Sequence, residues 1–155
     1  DEVRNGSLDG LRVMVIDDSK TIRRTAETLL KKVGCEVITA VDGFDALAKI
    51  ADTHPNIIFV DIMMPRLDGY QTCALIKNNS AFKSTPVIML SSKDGLFDRA
   101  RGAMVGASAY LTKPFTKLRI EAGLNFKYLN IFTSCHLPLD IELSGRRAGN
   151  LSEST

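Results

Sequence analysis

The chain has 155 residues, 45% of them hydrophobic and 25% charged, enough for one domain with its own core. A net charge of +2 gives no electrostatic drive toward nucleic acid or an anionic membrane. No apolar run is long enough to insert into a bilayer, and no charged segment followed by an apolar one opens the chain, so the expected location is cytoplasmic.

Residues 1–9 are a polar extension, and the domain is expected over 10–132. Leu11 to Ile16 is an apolar run that reads as a buried strand, and it ends in Asp17-Asp18. Ile22, Thr25, Ala26, Leu29, Leu30 and Val33 then recur at helical spacing, with Gly34 just past the helix end. Glu36 to Ala40 is a second short strand. Phe44, Leu47, Ala48 and Ala51 predict the apolar stripe of the next helix, closed by Thr53-His54-Pro55. Ile57 to Val60 is a third strand, ending in Asp61.

Ile62 to Gly69 carries turn punctuation, and the helix after it turns Gly69, Cys73 and Ile76 inward. A polar linker, Asn78 to Pro86, leads to the strand Val87 to Leu90, which ends in Ser91. A helix with Leu96, Ala100, Ala103 and Met104 on one side follows, ended by Gly106. Ala109 to Leu111 is the fifth strand, and Thr112-Lys113-Pro114 comes next. Repeated βα units predict an α/β fold, a doubly wound five-stranded parallel sheet with right-handed crossovers.

After Phe115 the pattern changes. Residues 116–132 fit a helix with Leu118, Ala122, Phe126 and Leu129 on one side, weakened by Gly123. Residues 133–155 read as an irregular tail. Cys35, Cys73 and Cys135 are isolated, with no CxxC pair, and read as reduced thiols rather than metal ligands or a redox pair. His54 and His136 lack partners at motif spacing and read as loop residues.

The informative feature is where the polar residues fall. In an open parallel sheet the carboxyl ends of the strands form the binding crevice. Asp17, Asp18, Asp61, Ser91 and Lys113 each follow a strand, so three carboxylates, a hydroxyl and an ammonium are expected to meet there. Singly, each has an ordinary explanation: a helix N-terminal charge, a turn, a cap, a surface lysine. Together at successive strand ends they suit a hard divalent cation beside a phosphoryl group. Mg²⁺ would offset the mutual repulsion of the carboxylates, and Asp61 is a candidate nucleophile, because aspartate forms acyl phosphates.

These motifs resemble the receiver domain of bacterial response regulators over about residues 10–116. The match comprises Asp17-Asp18, Asp61, Met64-Pro65-Arg66-Leu67-Asp68-Gly69, Ser91 and Tyr110-Leu111-Thr112-Lys113-Pro114-Phe115. The resemblance implies a flavodoxin-like sheet of strand order 2-1-3-4-5. It implies that Asp61 takes a phosphoryl group from a phosphohistidine on a CheA-like sensor histidine kinase. Asp17, Asp18, Asp61 and the Met63 carbonyl would hold Mg²⁺. Ser91 and Lys113 would contact the phosphate, Tyr110 would be the switch aromatic, and the peptide before Pro114 would be cis.

Two stretches, Val15 to Arg24 and Asp61 to Thr72, look most like receivers in chemotaxis-like control of type IV pilus twitching motility. A stand-alone receiver is therefore expected, with a pilus-regulating protein downstream. Its tail fits the family's fifth helix only loosely, and the stretch from Lys117 onward is read as a non-native extension. The alternatives are a phosphorylation-independent scaffold of the same fold, an aspartyl-phosphate phosphatase, and a DNA-binding regulator. The complete acidic cluster opposes the first. The absence of Asp-x-Asp spacing after strand one opposes the second, and balanced charge opposes the third.

Overall fold

The computed structural model describes residues 10–91, 96–112 and 141–143. In chain order the elements are β1 (Arg12–Ile16), α1 (Lys20–Lys32), β2 (Glu36–Ala40), α2 (Gly43–Thr53), β3 (Ile57–Asp61), α3 (Gly69–Asn78), β4 (Val87–Ser91), α4 (Leu96–Met104), β5 (Ala109–Thr112) and β6 (Ile141–Leu143). The first five strands are parallel and ordered 2-1-3-4-5, as the resemblance implies. Reduced to its described residues, the sheet is the expected doubly wound α/β architecture.

Alternation along the strands divides the core between the two faces of the sheet. Val13, Val15, Phe59, Ile88 and Leu111 pack with Ala26 and Leu30 of α1. Met14, Ile16, Val60, Met89 and Tyr110 pack with Ala46 and Ile50 of α2 and with Cys73 and Ile76 of α3. Burial on both faces is why the central strands β3 and β4 are continuous apolar runs with no polar alternation.

Local signals place the helix starts. Ser19 caps α1 by accepting from the Ile22 amide, Asp42 caps α2 by accepting from the Asp45 amide, and Asp68 forms a reciprocal capping box with Gln71 at α3. His54 ends α2 in the left-handed region, with its ring 5.9 Å from that of Phe82, so it is a turn residue as expected.

Two helical faces differ from those predicted. In α2 the buried residues are Gly43, Ala46 and Ile50, whereas Phe44, Ala48 and Ala51 of the predicted stripe are exposed. The stripe is rotated by one residue. Gly43 brings the helix against α3: a Cβ there would lie 2.3 Å from the Thr72 hydroxyl. Phe44 is left outside under the Arg66 guanidinium, 5.4 Å from its ring centroid. In α4, Ala100 and Met104 are exposed and Gly102 is buried, with its missing side chain facing Met89. Close approach of a glycine to the sheet outweighs the larger apolar side chains in both helices.

The pattern predicts no element over 133–155, yet β6 pairs antiparallel with β5, Tyr110 opposite Glu142. Three residues are too few for a period-two pattern to register. The helix expected over 116–132, Cys135, His136 and the Lys113–Pro114 peptide lie outside the described residues.

The two described cysteines are both buried and free. Burial pushes each thiol up to about 11, with the Lys77 charge opposing the rise at Cys73. Because the thiolate is the reactive form, neither is expected to react with a maleimide or iodoacetamide in the native protein at pH 8. Rapid labelling of Cys35 or Cys73, read by peptide mass before and after denaturation, would contradict that.

Candidate functional site: an acidic cluster at the carboxyl end of the sheet

Asp17 follows β1 directly, where the strand has just left its ladder. Its amide donates to the Ala40 carbonyl at 3.1 Å, which fixes it beside the end of β2. Its carboxylate accepts from the Ser19 amide at 2.8 Å, a side-chain turn that leads into the cap of α1. Asp61 is the last residue of β3, in register with Leu90, and the pairing continues through the Ile62 amide to the Leu90 carbonyl at 3.0 Å. Ser91 closes β4 in register with Thr112, one residue before Lys113. The strand ends therefore do converge, as the spacing predicts.

One oxygen from each of Asp17, Asp18 and Asp61 falls within 4.8 Å of the others. Asp17 and Asp61 are almost wholly buried, at 0% and 4% exposed, while Asp18 is open to solvent. Buried carboxylates are uncommon unless paired or bound to a cation. Three hard oxygen donors this close, two of them sequestered and one facing the entrance, fit a small divalent cation that keeps part of its water shell.

The glycine after Asp68 determines how near α3 comes to this cluster. A Cβ on Gly69 would lie 2.4 Å from the Asp61 carbonyl oxygen and 2.8 Å from the Ile62 Cα. Its amide donates to the Ile62 carbonyl at 3.0 Å. Between these anchors the loop carries Met63, 75% exposed, and Met64, which is buried in the core of the α2–α3 face.

Ser91 is buried at the rim of the cluster, and Tyr110 is 2% exposed, packed among the core side chains of the α2–α3 face. The tyrosine thus occupies an inward position. Lys113 lies outside the described residues.

Two arginines next to the site carry no signal in the hydrophobic pattern. Arg23, on α1, donates to the Asp17 carbonyl at 2.7 Å. Arg66, in the loop after Asp61, adopts φ 67°, a left-handed conformation uncommon outside glycine and asparagine, and pairs with the Asp42 carboxylate. That pair ties the loop to the start of α2.

The Asp45 amide, and then Arg66, hold the Asp42 carboxyl below the usual carboxylate range, against an opposing effect of burial. A depressed folded-state pKa contributes stability above the unfolded value, and that contribution is lost as pH falls through the folded one. Asp42→Asn is therefore expected to flatten the loss of stability below the ordinary value of 3.8. Urea melts across the acid range check this, and unchanged acid sensitivity would contradict it.

Residues 13–125 match the response regulator receiver domain family. The chain belongs to that family. Over 109 residues this receiver is 90% identical to Protein PilG of Pseudomonas aeruginosa, a match covering 70% of this chain and 81% of that protein. It is 41% identical over 113 residues to the probable transcriptional regulator ycf27 of Cyanophora paradoxa, covering 73% of this chain but only 46% of that one.

Among solved structures, the receiver is similar to the chemotaxis protein CheY4 of Vibrio cholerae, with a TM-score of 0.73 and 33% identity over 75% of this chain and 97% of that one. It is also similar to the receiver domain of Francisella response regulator 1452, with a TM-score of 0.70 and 32% identity over 79% and 99% of the two chains. Receivers are signalling domains rather than enzymes with a turned-over substrate. Among the described residues of this one, no helix is long and apolar enough to cross a membrane.

Proposed function

We propose that this receiver accepts a phosphoryl group on Asp61 from a phosphohistidine of a CheA-like sensor histidine kinase. The close approach of the Asp17, Asp18 and Asp61 carboxylates carries this reading. An Asp61 carboxylate oxygen attacks phosphorus, the phosphorus–nitrogen bond breaks, and the imidazole leaves with the electron pair. The product is an acyl phosphate.

Asp17, Asp18, Asp61 and the Met63 carbonyl would hold Mg²⁺. When bound, the ion supplies neutralisation of the charge on the transferring phosphoryl oxygens. The Ser91 hydroxyl donates to a phosphoryl oxygen, and Lys113 adds a second positive charge.

The acyl phosphate brings extra negative charge and more acceptor oxygens to the end of β3. Drawing Ser91 toward that charge changes the space beside Tyr110, whose inward position is favoured in the phosphorylated state. The result is a shift between two populated conformations of a protein-binding face. A near-complete shift needs about 5.5 kcal/mol of differential stabilisation. Charge-assisted contacts around the phosphate are the source of that difference. The identity with Protein PilG supports a cytoplasmic role in chemotaxis-like control of type IV pilus twitching motility, acting through a downstream pilus-regulating protein.

Intact mass after incubation with acetyl phosphate tests the reading. A gain of one phosphoryl group with Mg²⁺, abolished by a chelator, is expected. A folded protein that gains none would overturn the reading in favour of a phosphorylation-independent scaffold.

A further inference from the structure

Asp17 is held at three points. Its amide is bonded to Ala40, its carboxylate to the Ser19 amide, and its carbonyl to the guanidinium of Arg23. The first two come from the backbone. The third comes from a long, half-buried side chain on α1 that turns back toward the site.

A residue in the first turn of a helix normally has every reason to point its charge into water. Arg23 instead places it against a main-chain oxygen at the acidic cluster. The two carboxylates of the pair differ in support. Asp17 is fixed by its own side-chain bond, whereas among the described residues no hydrogen bond or ion pair reaches the exposed carboxylate of Asp18.

The orientation of Asp18 therefore depends on the chain that carries it. The peptide between Asp17 and Asp18 is planar, so fixing the Asp17 carbonyl oxygen also fixes the plane on which the Asp18 Cα sits. A guanidinium with several donors in a rigid fork holds such an oxygen more firmly than an ammonium does.

We propose that Arg23 is a positioning residue for the cation site: by gripping the Asp17 carbonyl it sets the Asp17–Asp18 peptide plane and so aims the Asp18 carboxylate at the metal. This rests on the metal-binding role of Asp17, Asp18 and Asp61 argued above. The effect is one step removed from the ion, in the way that groups orienting a ligand tune a metal they never touch.

The test is Mg²⁺ affinity by titration calorimetry for the wild type, Arg23→Met, Arg23→Lys, Asp18→Asn and the Asp18→Asn/Arg23→Met double variant. Metal-free melting curves are recorded alongside. Arg23→Met is expected to weaken Mg²⁺ binding about tenfold, and Arg23→Lys to recover part of that. If Arg23 acts through Asp18, adding Arg23→Met to Asp18→Asn costs less than about twofold more.

An Arg23→Met protein that melts lower but binds Mg²⁺ like the wild type would reduce the arginine to a fold-stabilising role and overturn the proposal. So would an undiminished tenfold loss in the Asp18→Asn background, because the arginine would then act through another residue. Should Arg23→Met fail to fold, Arg23→Gln takes its place with the same expected loss. A wild type that binds no Mg²⁺ overturns the metal site itself, and the positioning role with it. A wild type that binds while Arg23→Met binds equally well overturns only the latter.

Discussion

Asp61→Asn is expected to abolish phosphoryl uptake and to raise the melting temperature of the metal-free protein. Both effects come from one change. An amide is close to a carboxylate in shape, so it keeps the packing at the end of β3, but it is not a nucleophile toward phosphorus. It also removes one of three like charges clustered within 4.8 Å, two of them on buried residues. Charges this close repel appreciably at protein effective dielectrics, so relieving one stabilises the fold. A chelated melt and an intact mass after acetyl phosphate read the two effects separately. Residual uptake of one phosphoryl group would move the acceptor elsewhere, and a lower metal-free melting temperature would show that Asp61 is not in electrostatic conflict with its neighbours.

Gly69→Ala is expected to damage stability and chemistry together. The added methyl would sit 2.4 Å from the Asp61 carbonyl oxygen and 2.8 Å from the Ile62 Cα. Both are backbone atoms, so neither can swing aside as a side-chain end would. Either α3 moves away from the sheet or the end of β3 moves with Asp61. Overpacking of this kind costs about 1–3 kcal/mol. Misplacing a nucleophile by about 1 Å costs about a hundredfold in rate. Phosphoryl uptake measured well below the variant's melting temperature separates the rate loss from unfolding. A variant with wild-type rate and stability would show that α3 can retreat without moving Asp61.

The acidic site was legible in the sequence because two physical rules coincide there. Strands buried on both faces appear as continuous apolar runs, so Ile57–Val60 and Val87–Leu90 mark their own ends. In a parallel sheet those ends share one edge, so the polar residue after each run is placed without knowing the helices. Asp17, Asp18 and Asp61 converge accordingly.

The helix faces were less legible. A stripe at i, i+3 and i+4 has the same period whichever residue it starts from, so Phe44, Leu47, Ala48 and Ala51 looked as good as Gly43, Ala46 and Ile50. The deciding fact is tertiary: Gly43 lets α2 close on Thr72, and the Phe44 ring lies beneath Arg66. Arg23 and Arg66 were hidden for a related reason. Their roles depend on where a long side chain reaches, to a carbonyl in one case and across two loops in the other. Neither reach leaves a period or a motif.

The most direct test of the central claim is to locate the phosphoryl group. The phosphorylated protein is reduced with borohydride, which converts an aspartyl phosphate to homoserine, and is then digested and sequenced by mass spectrometry. Homoserine in place of Asp61, formed only when Mg²⁺ was present, is the predicted result. Homoserine in place of Asp17 or Asp18, or an unmodified Asp61 in protein that has gained a phosphoryl group, would contradict it.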